Sequence, residues 1–231
     1  MRKTFINAAV AAALVAGASG VSLADESPIS ANVSLVSDYQ YRGYSQSNEN
    51  IAIQGGFDYA HSSGLYVGVW GSSIDWLDKG GAEVDLYVGF SNDIGDTDFS
   101  YDVGVLQYFY PGGEVGGEDP DTTEAYIGVG WKFLSFKYSY AFTDLFGTKD
   151  SDGSQYYDLS ADFDIGAGFA LGLHVGRQQI EGDNWDSYND WKVGVSKDYV
   201  GLTFGLDYVD TSADDGDNSD ERVIFSVSKS F

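Results

Sequence analysis

Two histidines, His61 and His174, and a large surplus of carboxylates are the residues here that could move protons or hold metals. The chain carries 36 Asp and Glu against 12 Lys and Arg, with no Cys. The absence of Cys excludes thiol catalysis, a disulfide framework and Cys-based metal sites. His61 opens HSSG (61–64), a turn sequence, and reads as a solvated turn residue. His174, in LHVGRQ (173–178), stands alone on an alternating stretch and reads as a hydrogen-bonded wall residue. A nucleophilic mechanism needs a serine or equivalent within reach of such a base, and the sequence identifies no partner for it. The acidic run DTSADDGDNSDE (210–221) invites a calcium reading. Setting Gly216 at the EF-hand glycine puts Thr211 and Ala213 at ligand positions and Arg222 at the bidentate position, so the motif fails. KDSDG (149–153) fails likewise, with Leu159 where the Glu belongs. No catalytic residue, metal site or cofactor is expected; the acidic loops read as solvated.

The elements that must position these groups are strands. From residue 30 onward the dominant period is two, which sends successive side chains to opposite faces of a strand. In AEVDLYVGF (82–90), Ala82, Val84, Leu86, Val88 and Phe90 alternate with Glu83, Asp85, Tyr87 and Gly89. Segments of this kind lie near 30–44, 51–61, 64–73, 81–91, 98–110, 122–132, 133–143, 154–164, 168–178, 187–196, 199–209 and 221–231, twelve in all. Most approach the ~9–11 residues with which a tilted strand crosses a bilayer. Their connections alternate between short turns, as at 61–64, 165–168 and 197–200, and longer polar loops such as PGGEVGGEDPD (111–121). An open sheet edge in hydrocarbon would leave backbone groups unpaired at several kcal/mol each, so apolar-out, polar-in strands imply closure. The expected fold is an all-β, closed antiparallel transmembrane β-barrel of about 12 strands. Its competitor is a soluble β-sandwich with the same apolar faces packed inward.

The ends supply location. Arg2 and Lys3 precede the apolar run AAVAAALVAGA (8–18), and Ser22-Leu23-Ala24 resembles a signal-peptidase site. Residues 1–24 are therefore expected to be a signal peptide and 25–231 the barrel. Losing Arg2 and Lys3 would take the net charge from −24 to −26. So acidic a chain repels nucleic acid. At the other end VIFSVSKSF (223–231) alternates to its last residue. Phe231 resembles the terminal aromatic by which the barrel assembly machinery recognises its clients.

One choice of orientation sorts the aromatics into two girdles at headgroup level. Tyr39, Tyr41, Phe109, Tyr140, Phe142 and Tyr208 fall at the outer rim, and Trp131, Phe169 and Phe231 at the inner rim. The opposite faces then line the lumen. Strands 1 to 5 supply Asp38, Arg42, Asp58, Glu83, Asp85 and Asp102. Strands 6 to 8 supply Glu124, Lys132, Lys137, Asp158 and Asp162, and strands 9 to 11 supply His174, Asp190, Lys192 and Asp207. Acids outnumber bases in this set, which favours cations if water passes. A lumen filled by its own salt bridges is the competing expectation.

The stretch SDYQYRGYSQSNENIAIQGGFDYAHSSGLYVGVWGSSIDW (37–76) carries a resemblance, as do GAEVDLYVGF (81–90), FSYDVGVLQYFYPGG (99–113) and TTEAYIGVGWKFLSFKYSYAFTD (122–144). These blocks resemble a proteobacterial family of TorF-type porins, also called Gcw_chp. The resemblance covers nearly the whole chain after residue 24, and SDY-x-YRG-Y is its most specific element. It implies an outer-membrane barrel of about this size with a diffusion role, and no catalytic residues to carry over. Outer-membrane phospholipases, for contrast, place a serine two residues after the strand histidine, where this chain has Gly176. The expected role is diffusion of small polar or cationic solutes. The alternative is a non-conducting structural or surface-interaction barrel whose acidic loops meet a partner or divalent cations. Outer-membrane lipid and lipopolysaccharide are the expected surroundings. The oligomeric state is left open, because an oligomer seam would read as any apolar barrel wall.

Overall fold

Alternation becomes a barrel because one face of every strand can be satisfied by hydrocarbon and the other only by polar partners. The computed structural model describes residues 27–182 and 186–231, so the leader expected at 1–24 lies outside the described residues. Twelve strands close on themselves. In chain order the first is β1 (Ile29–Val36), followed after an inner hairpin by β4 (Ala52–Ala60), β5 (Leu65–Ser73), β6 (Ala82–Asp93) and β7 (Phe99–Phe109). The wall continues with β8 (Thr122–Trp131), β9 (Leu134–Ala141), β10 (Gln155–Gly166) and β11 (Phe169–Gln179). It ends with β12 (Tyr188–Tyr199), β13 (Leu202–Thr211) and β14 (Arg222–Ser230). Each pairs antiparallel with its neighbours, and β14 closes on β1 from Asn32↔Ser230 to Val36↔Ser226. Phe231 continues this seam, its N–H donating to the Ala31 carbonyl at 2.9 Å. No strand of the barrel is left with an open edge.

The outer surface is apolar. Leu35, Val67, Leu86, Ile127, Leu206 and Phe225 are exposed there, along with most other large aliphatic side chains of the strands. Phe109, Tyr140, Phe142 and Tyr208 lie exposed on the same surface toward the loop end, and Phe169 and Phe231 toward the turn end. Trp131 packs at the turn end against Phe99 and Phe133. No helix among the described residues is long and apolar enough to span a membrane, and strands do the crossing instead. An exposed apolar belt around a closed sheet is stable only in hydrocarbon, which makes the protein an outer-membrane β-barrel.

The first expected strand departs most from the structure. Segment 30–44 does not run to the rim. β1 stops at Val36, where Ser37 bonds Phe225 twice: its N–H donates to the Phe225 carbonyl at 2.8 Å and its Oγ accepts the Phe225 N–H at 2.9 Å. The chain then turns into the barrel and forms a hairpin of β2 (Gln40–Tyr41) and β3 (Tyr44–Ser45). Its tip is the two-residue turn Arg42-Gly43, with φ of +47° and +84°, the positive pair that a type I′ turn requires. Tyr39 and Tyr41 are consequently inside the lumen rather than at the lipid interface; Tyr39 is 1% exposed. Lys132 is the other misplacement. It occupies the β8–β9 turn at φ +53°, exposed, 3.5 Å from Asp98 and over the Trp131 ring, so it does not line the lumen.

Candidate functional site

The inward hairpin touches nearly every part of the wall at its level. The Tyr39 hydroxyl donates to Glu83 on β6 at 3.1 Å, and its ring packs edge-on against Trp70 on β5. Tyr41 meets Tyr108 on β7, hydroxyl to hydroxyl, and Phe146 of the β9–β10 loop. Gly43 is seated against β12 and β13: a Cβ there would stand 2.8 Å from the Cβ atoms of both Asp190 and Thr211. Tyr44 packs on Tyr188.

Arg42 makes the strongest of these contacts. Its guanidinium donates to both oxygens of Glu124 on β8, at 2.9 and 2.7 Å, and to the side-chain carbonyl of Gln178 on β11 at 2.9 Å. It also lies over the Tyr156 ring, 4.3 Å from the centroid. Both partners of the pair are almost fully buried, at 5% and 3% side-chain exposure. A bidentate pair with a third bond to Gln178 is what makes this buried pair tolerable, since desolvation of either charge alone costs several kcal/mol. Arg at positive φ adds backbone strain of about 1–3 kcal/mol, which persists only where the surroundings hold it.

A second ion pair anchors the base of the hairpin. The Asp38 carboxylate accepts from Ser45 Oγ at 2.6 Å, Ser47 Oγ at 2.8 Å, Gln40 Nε2 at 3.1 Å and Arg222 Nη1 on β14 at 3.0 Å. Asp38 and Arg42 thus lie in the lumen as expected residues, but on the hairpin and not on the wall.

The hairpin divides the interior. Along β5–β8 the lumen is filled. Trp70, Tyr66, Tyr87, Leu106, Tyr108 and Tyr126 are buried in one cluster with Tyr39. The rings lie over glycines of the neighbouring strand: Tyr87 over Gly68, Tyr66 over Gly89, Tyr126 over Gly104. These inward glycines are the seats of aromatic rings. Carboxylates of this half are occupied by phenols. Tyr66 donates to Asp102 at 2.6 Å, Tyr87 donates to Asp58, and Tyr108 donates to Glu124 at 3.3 Å. Glu83 and Asp85 are buried beside them.

Along β9–β14 the lumen is open. A cavity of about 350 Å³ is lined by Lys137, Asp158, Asp162, His174, Asp190, Lys192 and Asp207, with glycines and serines between them. It reaches from Arg42 to Ser196 and Thr203, close to the β12–β13 turn. On the loop side a second cavity of about 580 Å³ is walled by Tyr44, Trp76, Phe146, Ile180 and Tyr188. Tyr41 and Arg42 line both, so the hairpin tip is the partition between outer vestibule and inner lumen.

His174 stands in this open half with one carboxylate at each ring nitrogen: Asp190 Oδ1 is 2.8 Å from Nε2 and Asp158 Oδ1 is 3.4 Å from Nδ1. Ser160 Oγ approaches Nδ1 at 3.2 Å but also donates to Asp158 at 2.7 Å. The trio has the members of a hydrolytic triad without its arrangement. The serine proton points to a carboxylate, and Ser160 lies mid-strand, where backbone N–H groups serve the ladder and cannot form an oxyanion hole. His61, in the β4–β5 turn, is exposed and bonds Ser63 at 2.8 Å. No cluster of three potential metal ligands occurs among the described residues.

Sequence parity had already put Tyr87 on the face of Glu83 and Asp85, and Tyr126, Tyr108 and Tyr156 follow the same rule. Their inward direction was legible, but not their role as filling.

A twelve-stranded closed antiparallel barrel with an apolar exterior and a hairpin folded into a polar lumen defines the class: a closed outer-membrane β-barrel. The particular family follows from the sequence. Residues 22–231 match the model of Gcw_chp, described as a bacterial protein of unknown function, and the chain belongs to that family. A comparison with curated proteins returns no match. Among solved structures, a KdgM porin superposes with a TM-score of 0.59 over 87% of this chain and 98% of its own, at 8% identity. A KdgM porin in complex with disordered oligogalacturonate gives 0.56 at 9% identity, over 88% and 98% of the two chains. A NanC porin gives 0.56 at 14% identity, over 87% and 97%. At such identities the likeness is one of fold.

Proposed function

We propose that this barrel is a TorF-type porin that passes small polar or cationic solutes along the β9–β14 side of its lumen. In this reading the 37–50 hairpin is the constriction. The observation that carries it is the partition itself. One cavity opens among the outer loops, another runs toward the turn end, and a two-residue tip held by side-chain contacts separates them. A fixed wall would be built from ladder hydrogen bonds along its length; here the tip is held by Arg42 and packed rings, and the base by Asp38 and two backbone bonds to the outer loops, Ser45 N–H to the Asn218 carbonyl and Asp75 N–H to the Gln46 carbonyl. The wider lumen carries more acids than bases, which favours cations at the mouth. The reading has no catalytic component, because among the described residues the lumen offers no activated nucleophile.

The hairpin's reach across the lumen also favours a second reading, a closed barrel whose acidic loops bind a partner or divalent cations. Proteoliposome swelling separates the two. Channel function predicts entry of a small neutral solute, N-acetylglycinamide, at a rate above that of protein-free liposomes. Equal rates with and without protein would leave the closed barrel.

A further inference from the structure

The charges of the open half fall into two groups: those already held by a partner, and those that are not. Arg42 is committed to Glu124, while Asp158 and Asp190 are committed to His174, Ser160 and the Tyr156 hydroxyl. Four charged groups without an ionic partner remain in the same cavity: Lys192, Asp162, Asp207 and Lys137, whose ammonium stands over the Tyr126 ring, 5.7 Å from its centroid. Among the described residues none of the four makes an ion pair.

Register fixes where they stand. Asp162, Gly172, Gly194 and Asp207 are successive partners across β10, β11, β12 and β13, forming one row around the wall. The two carboxylates lean toward each other over the two glycines. A Cβ on Gly172 would lie 3.3 Å from Asp162 Oδ1, and one on Gly194 would collide with Asp207 Oδ1. A side chain at either glycine would push its carboxylate away, so the row is shaped as a cradle with an acid at each end. Lys192 lies two residues nearer the hairpin on β12, about 6.7 Å along the strand. Lys137 is opposite Asp158 in the strand register, four residues nearer the hairpin than Asp162 on β10, about 13 Å. Free ammonium groups therefore stand on the hairpin side of the cavity and free carboxylates on the turn side.

We infer that the lumen binds small zwitterions whose two charges are several ångströms apart, a short peptide being the chemistry that fits. Its ammonium group lies between Asp162 and Asp207, and its carboxylate faces Lys192, the nearer of the two ammonium groups. A charge-separated solute satisfies both sets at once. A cation or an anion satisfies one set and meets repulsion from the other, and a neutral solute satisfies neither.

This rests on the channel reading above, and one swelling experiment distinguishes their failures. Glycylglycine and N-acetylglycinamide, similar in size, are compared in the same proteoliposomes. Wild type is expected to admit glycylglycine about threefold faster, the factor that two solvent-screened charge contacts supply. The near-isosteric double variant Asp162→Asn/Asp207→Asn, with its heat-modifiable mobility intact, is expected to lose that preference, the ratio of the two rates falling to about one. Equal rates for the two solutes in wild type, or a preference that survives in the double variant, overturns the zwitterion site while the channel stands. If neither solute enters, the channel reading falls and the zwitterion site with it.

Discussion

Replacing Arg42 by Ala removes the tip's guanidinium and leaves Glu124 2% exposed with the Tyr108 hydroxyl, at 3.3 Å, as its remaining side-chain donor. Breaking one side of a buried ion pair costs about 3–5 kcal/mol, most of it from the charge left behind. That cost falls on the docked hairpin, because undocking lets water reach Glu124. About 3 kcal/mol changes the docked-to-undocked ratio roughly a hundredfold. The truncation also removes a side chain that lines both cavities and so joins the vestibule to the lumen. The two effects separate in the double variant Arg42→Ala/Glu124→Gln, where the stranded charge is gone but the space remains. Single-channel recording in planar bilayers reads both. Arg42→Ala is expected to raise open probability and step size, and the double variant to raise step size with a smaller gain in open probability. Wild-type step size and open probability in both variants, with heat-modifiable mobility retained, would show that the hairpin does not limit conduction and refute this reasoning.

Other consequences follow from the same geometry. Gly43→Ala places a Cβ at positive φ and 2.8 Å from Asp190 and Thr211, so it should lift the tip and reproduce the enlarged steps of Arg42→Ala. Reversal potentials across a KCl gradient should show K⁺ preferred over Cl⁻, and anion preference would contradict the acidic lumen. Val193→Arg, on the lipid face midway along β12, should lower stability by about 2–4 kcal/mol in urea unfolding from lipid vesicles. Deleting Phe231 should reduce the outer-membrane yield if its pairing with Ala31 and its aromatic ring guide assembly, and an unchanged yield would remove it from that role.

The wall was legible because hydrocarbon imposes a strict rule: every second residue must be apolar for the length of a crossing. Leu86, Val88 and Phe90 obey it, and twelve strands followed. The hairpin was not legible for the same reason. Residues 38–42 also alternate, so Asp38, Gln40 and Arg42 against Tyr39 and Tyr41 read as the top of a wall strand. A two-residue period does not say whether the apolar side meets lipid or the packed interior of the lumen. The break in the pattern was at Gly43, where positive φ turns the chain, and an Arg before it gives no common turn signature. Tyr39 and Tyr41 were sent to the interface by the general liking of tyrosine for headgroups, which the Tyr39–Glu83 bond and the Tyr41–Tyr108 contact inside the lumen override. Lys132 was placed by continuing the alternation of β8 one residue past its end, into a turn where parity no longer applies. The charges of Asp162, His174, Lys192 and Asp207 could be put on the inward face from sequence alone. Which of them are spent on partners required the register.

Planar-bilayer recording of the purified wild-type protein tests the central claim most directly. A porin whose lumen is narrowed by a hairpin with its tip held on side-chain contacts should give discrete, small conductance steps interrupted by closures. A bilayer that stays at buffer noise, with correctly folded protein inserted, would contradict it.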